Sequence, residues 1–342
     1  MDKRRIILIA AVLIAATLTA ISFILTMDKS PRTFCENKVD KARLIYNRAV
    51  DSMKAKDDQK AITAFITVVN KYPGSSYAEL ALNELGAMYG KMGDLEKETY
   101  YYNRLLDEFP GTKNSDKIIE RLGGLSLDTL KAPGMTGDSV EYVVKSGDSL
   151  FAIARRFGTT IDLIKMVNGL QGDVIHPGQK LKIVIAKFSI LVDKKNNRLL
   201  LRKDGKPFKL YTVSTGKDNS TPVGVFKIEE KMVKPVWYKV NAVVAPDSKE
   251  YELGERWMGL SAQGYGIHGT SDESTIGNQV TQGCVRMYNK DVIELFNIVP
   301  SGTEVVIKDS VDDMWTEARP RDIPAPQTAE AAPKDEKGTG TS

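Results

Sequence analysis

Gly266-Ile267-His268-Gly269-Thr270, a spacer from Ser271 to Val280, then Thr281-Gln282-Gly283-Cys284-Val285-Arg286: this stretch holds one of only two histidines and one of only two cysteines in a chain of 342 residues. A thiol is a weak nucleophile until a base takes its proton, and a neutral imidazole within hydrogen-bond reach can take it. A neighbouring arginine also favours the thiolate. His268 and Cys284 are 16 positions apart. No helix face joins them, but a chain that runs out and folds back does. Glycines at 266, 269, 277 and 283 permit such a path. A glycine directly before the nucleophile also leaves room for backbone N–H groups, at Gly283 and Cys284, to face a developing oxyanion. Taken as residue types alone, a lone cysteine is more often a small buried hydrophobe, and Cys/His spacings do not transfer between families. The spacing by itself supports thiol acyl transfer and nothing narrower.

Two upstream segments extend the pattern: Ser214-Thr215-Gly216-Lys217 and Thr221-Pro222-Val223-Gly224-Val225-Phe226. Together with His-Gly, a spacer and Thr-x-Gly-Cys-Val-Arg, they resemble the signature of the L,D-transpeptidase catalytic domain, the YkuD or ErfK/YbiS family. The resemblance covers roughly residues 187–308. Thr281 stands where the family usually has serine, and the hydroxyl is kept. The resemblance implies Cys284 as nucleophile and His268 as general base, then general acid. The imidazole is oriented by the backbone carbonyl of Gly269 and the oxyanion is met by amides near Gly283. Arg286 binds a substrate carboxylate or holds the loop, with Asp291 as a candidate partner. It further implies a peptidoglycan tetrapeptide stem as substrate, loss of its terminal D-residue, a thioester, and an amine acceptor that yields a 3-3 cross-link. No metal and no cofactor is implied. Three alternatives stand beside this reading: an inert wall-binding scaffold, a carboxypeptidase that uses water as acceptor, and a variant that anchors protein. A sortase-type enzyme also uses Cys, His and Arg, but its usual Thr-Leu-x-Thr-Cys approach is absent.

Around this stretch the residues predict a mostly-β catalytic domain over 186–309. Phe188–Asp193, Arg198–Arg202, Phe208–Ser214, Val223–Glu229 and Trp237–Val244 read as strands, and Lys290–Val299 as its helix. The resemblance implies a β-sandwich-like fold with the cysteine at the floor of a cleft. Before it, residues 139–185 read strand, helix, helix, strand. Tyr142-Val143-Val144 opens the module, Gly147-Asp148-Ser149-Leu150 leads into a helix, and Ile175-His176-Pro177-Gly178-Gln179-Lys180-Leu181 closes it. This order closely resembles a LysM domain of βααβ form, which implies binding to peptidoglycan glycan through the loops 147–150 and 170–176. His176 reads as a surface or glycan-edge residue. The module reads as separable: removing residues 139–185 is expected to weaken wall binding while catalysis persists.

Residues 36–130 carry apolar positions at three- and four-residue spacing. Tyr72-Pro73-Gly74-Ser75 and Phe109-Pro110-Gly111-Thr112 recur 37 residues apart. A period in the thirties with paired helices predicts a helical repeat. It resembles tetratricopeptide-like repeats, either a docking surface for a protein partner or a spacer. A linker spans 131–138. Residues 1–29 comprise a short basic tip and the uncharged run 6–27, long enough to cross a bilayer. Lys3, Arg4 and Arg5 before it predict a single-pass anchor in the inner membrane with the bulk of the chain in the periplasm or cell-wall space. Residues 310–342 read as a disordered polar tail. The net charge of +4 is small, and no basic run interleaved with aromatics follows the N-terminus, which argues against nucleic acid. Two cysteines do not make a disulfide framework, and Cys35 carries no assigned role.

Overall fold

The computed structural model describes residues 31–239 and 242–317. The expected membrane anchor at residues 6–27 and most of the expected tail lie outside that range. Among the described residues no helix is long and apolar enough to cross a membrane. The chain divides into two compact units, 1–109 and 110–342.

The first unit is helical. Its elements are α1 (Pro31–Lys54), α2 (Asp58–Lys71), α3 (Ser76–Met92) and α4 (Leu95–Glu108). Each of the last three starts on a short polar side chain that accepts a backbone N–H: Asp57 from Lys60, Ser75 from Ala78 and Asp94 from Lys97. The repeat seen in the sequence has a geometric counterpart. Tyr72 and Phe109 close α2 and α4 with nearly the same backbone, φ −132° and −131°. Gly74 and Gly111 follow at φ +74° and +79°. Phe65, Leu82, Leu85, Leu105 and Leu106 fill the space between the helices.

The second unit opens with α5 (Ser115–Lys131). The sequence groups this helix with the repeat, in a single helical domain over 36–130. The structure instead packs it on the catalytic sheet, and the reason is its outer face. Leu127 and Leu130 join the buried core of that sheet. Gly123 lets the helix lie directly on a strand, because a Cβ there would sit 3.0 Å from the Lys209 Cα. Asp116 binds Arg198 at 2.6 Å.

The LysM-like module follows as expected: β1 (Ser139–Val143), α6 (Leu150–Phe157), α7 (Ile161–Asn168) and β2 (Lys180–Val184), with β1 and β2 antiparallel. Ser149 caps α6 and Thr160 caps α7. Tyr142, Leu150, Ile153, Ile164, Leu181 and Ile183 form its own core. Its other side is not free. Leu163, Val167 and Val184 belong to the catalytic core cluster. Lys182, 7% exposed, sends its ammonium to the carbonyls of Leu130 and Ala132 at the C-terminal end of α5, 3.1 Å each.

The catalytic region holds β3 (Phe188–Asp193), β4 (Arg198–Lys203), β5 (Lys206–Gly216), β6 (Gly224–Val233), the hairpin strands β7 (Trp237–Lys239) and β8 (Ala242–Val244), β9 (Arg256–Leu260), β10 (Gly266–His268), β11 (Gln279–Thr281), β12 (Val285–Met287), α8 (Asn289–Ile298) and β13 (Glu304–Lys308). The mostly-β domain expected from the sequence is a nine-stranded sheet in the order β11-β5-β12-β10-β9-β6-β13-β3-β4, and β5 also pairs with β4, so the sheet folds back on itself. The closure comes from the length of β5. Its first part pairs with β4, and residues 213–214 turn to β12. The concave interior is apolar, with Ile190, Val192, Leu199, Leu201, Val213, Ile228, Met258, Ile267, Val285 and Met287 all buried. The ordered chain also runs past residue 309, where the tail was expected to begin. A short helix, α9 (Met314–Glu317), buries Val311, Met314 and Trp315, and the apolar side chains of that segment explain why it stays on the body.

Candidate active site

Strand register decides which side chains meet. β10 and β12 are parallel neighbours with His268 opposite Arg286, and β10 and β9 are antiparallel with His268 opposite Trp257. β9 in turn pairs with β6, placing Met232 opposite Trp257 and Glu230 opposite Gly259. Side chains alternate along a strand. Ile267, Val285, Met287 and Met258 fill the core, so the alternate positions share the opposite face. These are Arg286 on β12, Gly266 and His268 on β10, Trp257 and Gly259 on β9, and Glu230 on β6. Cys284, just before β12, has the same parity as Arg286. His268 thus projects from β10 on this face, and Cys284 sits at the lead-in to the neighbouring β12.

His268 is 4% exposed. Its Nδ1 lies 2.7 Å from the carbonyl oxygen of Gly269, which fixes the tautomer with the proton on Nδ1 and the base lone pair on Nε2. The expectation that the Gly269 carbonyl orients the ring thus has a matching contact. Burial, and next the positive charge of Arg286, push the His268 pKa down to about 4, while the carbonyls of Gly269 and Leu253 pull the other way. The imidazole is therefore neutral at pH 7, the form a general base needs.

Cys284 is a free cysteine, and its Sγ lies 3.8 Å from the carbonyl oxygen of Gly264. Burial raises the thiol pKa, while a backbone hydrogen bond at Gly266 and the charge of Arg286 oppose that rise. Burial thus favours the uncharged form of both side chains.

The turn presenting Cys284 is held by the Thr281 hydroxyl, which donates to the Cys284 carbonyl at 2.6 Å and accepts from the Gly283 N–H at 3.2 Å. Gly283 sits at φ +126°, and a Cβ there would meet Tyr265 at 2.5 Å and the Ser220 carbonyl at 3.1 Å. The upstream Ser-Thr-Gly-Lys…Thr-Pro segment forms the wall behind this turn: the Gly216 N–H donates to Thr221 Oγ1 at 2.7 Å.

Arg286 is 13% exposed along its side chain and gives one Nη to Glu252 at 3.3 Å and the other to Thr275 at 3.3 Å. Its carboxylate partner is thus Glu252 rather than Asp291, because Asp291 lies on α8 and Glu252 on the loop that crosses the active face. His176 is exposed in the second loop of the LysM-like module, apart from the cysteine strand. Among the described residues no cluster of His, Cys, Asp and Glu could hold a metal ion.

Sequence reasoning missed Trp257, Tyr265, Glu252 and the cavity beside the thiol. That cavity holds about 330 Å³ and is lined by residues that include Glu229, Glu230, Trp257, Gln263, Gly264 and Tyr265. The one readable signal is that Trp257 and Gly259 flank Met258 just as His268 and Gly266 flank Ile267, a match that appears only once the strands are paired.

Comparison with known proteins agrees with this geometry. Residues 187–307 match the L,D-transpeptidase catalytic domain family and residues 142–184 match the LysM domain family. Over 126 residues the chain is 40% identical to the putative L,D-transpeptidase YqjB of Bacillus subtilis, covering 35% of this chain and 70% of that protein. Over 174 residues it is 36% identical to the putative L,D-transpeptidase YkuD of Bacillus licheniformis, covering 48% of this chain and 97% of that protein. Among solved structures it is similar to the catalytic domain of the Enterococcus faecium L,D-transpeptidase, at 26% identity and TM-score 0.30, covering 36% of this chain and 97% of that one. Coverage of most of both Bacillus proteins, at this identity, means that the chain belongs to the L,D-transpeptidase (YkuD) family and carries a LysM domain directly before its catalytic domain.

Proposed function

We propose that this chain cleaves the bond between the third, L-centred residue of a peptidoglycan tetrapeptide stem and its terminal D-residue, and transfers the acyl group to an amine, forming a 3-3 cross-link. The observation that carries this is that buried His268 on β10 and Cys284, at the lead-in to the neighbouring strand β12, stand side by side in one sheet, next to a cavity of about 330 Å³ lined in part by Gly264, whose carbonyl lies 3.8 Å from Cys284 Sγ. Cys284 Sγ attacks the carbonyl as His268 Nε2 takes its proton, and the same proton passes to the leaving D-residue's amine. The Gly269 carbonyl keeps the ring in the right tautomer. The Gly283 N–H is held by Thr281, so the Cys284 N–H is the amide assigned to the oxyanion, with Gly283 supplying the turn. Arg286, with both Nη atoms engaged, holds the loop and keeps imidazolium unfavourable until the thiolate forms beside it.

The LysM domain supports a wall substrate on separate grounds. The remaining assignments rest on sequence: residues 6–27 anchor the chain in the inner membrane with the rest in the periplasm or cell-wall space, and the helical repeat at 36–108, tetratricopeptide-like in period and terminators, docks a protein or spaces the enzyme from the membrane. Intact-protein mass spectrometry with a purified disaccharide-tetrapeptide tests the reaction. An adduct on Cys284, with D-alanine released and 3-3 dimer in solution, is expected. D-alanine with only tripeptide product identifies the carboxypeptidase, and neither adduct nor release from folded protein identifies the inert scaffold.

A further inference from the structure

Trp257 faces His268 across the β9–β10 ladder, and the two rings stack with centroids 5.7 Å apart and planes 26° from parallel. The place for the indole is built. A Cβ on Gly266 would lie 2.6 Å from the indole Cη2, and one on Gly259 would lie 3.1 Å from its Nε1. The indole N–H donates to Glu230 Oε1 at 3.1 Å. Trp257 packs against the small cluster of Val244, Tyr251 and Leu253, and it also lines the cavity. One side chain thus touches His268, the cavity and the segment around the β7–β8 hairpin.

We propose that Trp257, held by Glu230 and admitted by Gly266 and Gly259, is a positioning residue that fixes the His268 ring and shields it from water for proton transfer with Cys284. The proposal rests on the reading of His268 as the base. The charged and titratable groups around the ring are Arg286 and Cys284 on the β12 side and Glu230 beyond the indole, with Glu252 paired to Arg286. Two effects of the indole on an imidazolium oppose each other. Its face attracts a cation, while its bulk excludes water. Burial is the largest cause of the depressed His268 pKa and acts against that attraction, so removing the indole is expected to move the titration upward.

The test is an NMR titration of His268 in the full chain, with its resonances assigned by comparison with the His176→Gln variant. Trp257→Leu is expected to raise the His268 midpoint by about one pH unit and to lower kcat more than KM. Trp257→Phe restores most of the wild-type midpoint. Gly266→Ala, which pushes the indole aside without deleting it, is expected to shift the midpoint in the same direction as Trp257→Leu, and it supplies the answer if Trp257→Leu does not fold. An unchanged His268 midpoint in these variants, with only a lowered melting temperature, overturns the proposal and leaves Trp257 a packing residue. Failure of the wild type to release D-alanine would instead overturn the reading of the reaction, and the titration would still report on the stack.

Discussion

The Thr281 hydroxyl makes two hydrogen bonds inside one turn, to the Cys284 carbonyl and from the Gly283 N–H. A buried hydroxyl used this way contributes about 1–3 kcal/mol when both partners would otherwise be left unsatisfied. Thr281→Val is therefore expected to lower stability by about that amount and to reduce kcat, and Thr281→Ser to keep both bonds. Chemical denaturation with parallel D-alanine release checks this. Cys284→Ala should reduce release to background with the melting temperature nearly preserved, because the side chain is only partly buried and its contact with the Gly264 carbonyl is long, at 3.8 Å. His268 carries the pH dependence. Its folded pKa of about 4 lies below the ordinary value of 6.5, so between those pH values the unfolded state binds more protons. Stability is full above pH 6.5 and declines as pH falls toward 4, by about 3 kcal/mol. Denaturation midpoints from pH 7 to 4 measure it, and His268→Gln should flatten the slope. The same displacement places the acid limb of kcat/KM near pH 4 rather than 6.5.

At the scale of elements, α5 lies on β5 because Gly123 leaves it no side chain to hold it off. Gly123→Leu drives atoms into the Lys209 backbone, and overpacking of this kind destabilises by about 1–3 kcal/mol; helix propensity, which favours leucine by less than 1 kcal/mol, does not offset it. A fall in melting temperature with an unchanged denaturant slope is the expected result. The LysM elements and the helix pairs were legible in the sequence because caps, turn residues and apolar periodicity are local: Ser149, Thr160, Gly158 and Gly169 bracket α6 and α7 as their chemistry dictates. The edge of the repeat was not legible. Leu127 and Leu130 are equally apolar whether they face another helix or a sheet, and only the partner distinguishes the two.

At the scale of the molecule, the LysM domain is built into the catalytic body. Leu163, Val167 and Val184 lie in the core cluster that contains Val292, Leu295 and Ile298 of α8. Exposing three such side chains costs about 5 kcal/mol in total at roughly 1.5–3 kcal/mol each, a large share of the stability of an ordinary domain. Deleting residues 139–185 is therefore expected to unfold or strongly destabilise the catalytic domain, not to leave it active as sequence alone suggests. Calorimetry of the deletion variant decides between these outcomes. Wall binding is better tested by substitutions at Phe151, in the first turn of α6, and Val174, in the second loop, 64% and 76% exposed, which should weaken sacculus pull-down and leave D-alanine release intact.

By itself the sequence determined the chemistry, the order of the modules and most of the strands. A nucleophile, a base and a tight turn are written in a few adjacent residues, and hydrophobic period follows backbone geometry directly. Only the tertiary structure decided that the sheet closes through β5, that Arg286 answers to Glu252, that α5 and the LysM domain share the catalytic core, and that Trp257 covers His268. Each of these depends on segments far apart in the chain meeting in space, and for the strand pairs a shift of one residue would turn side chains such as Trp257 and Arg286 to the other face.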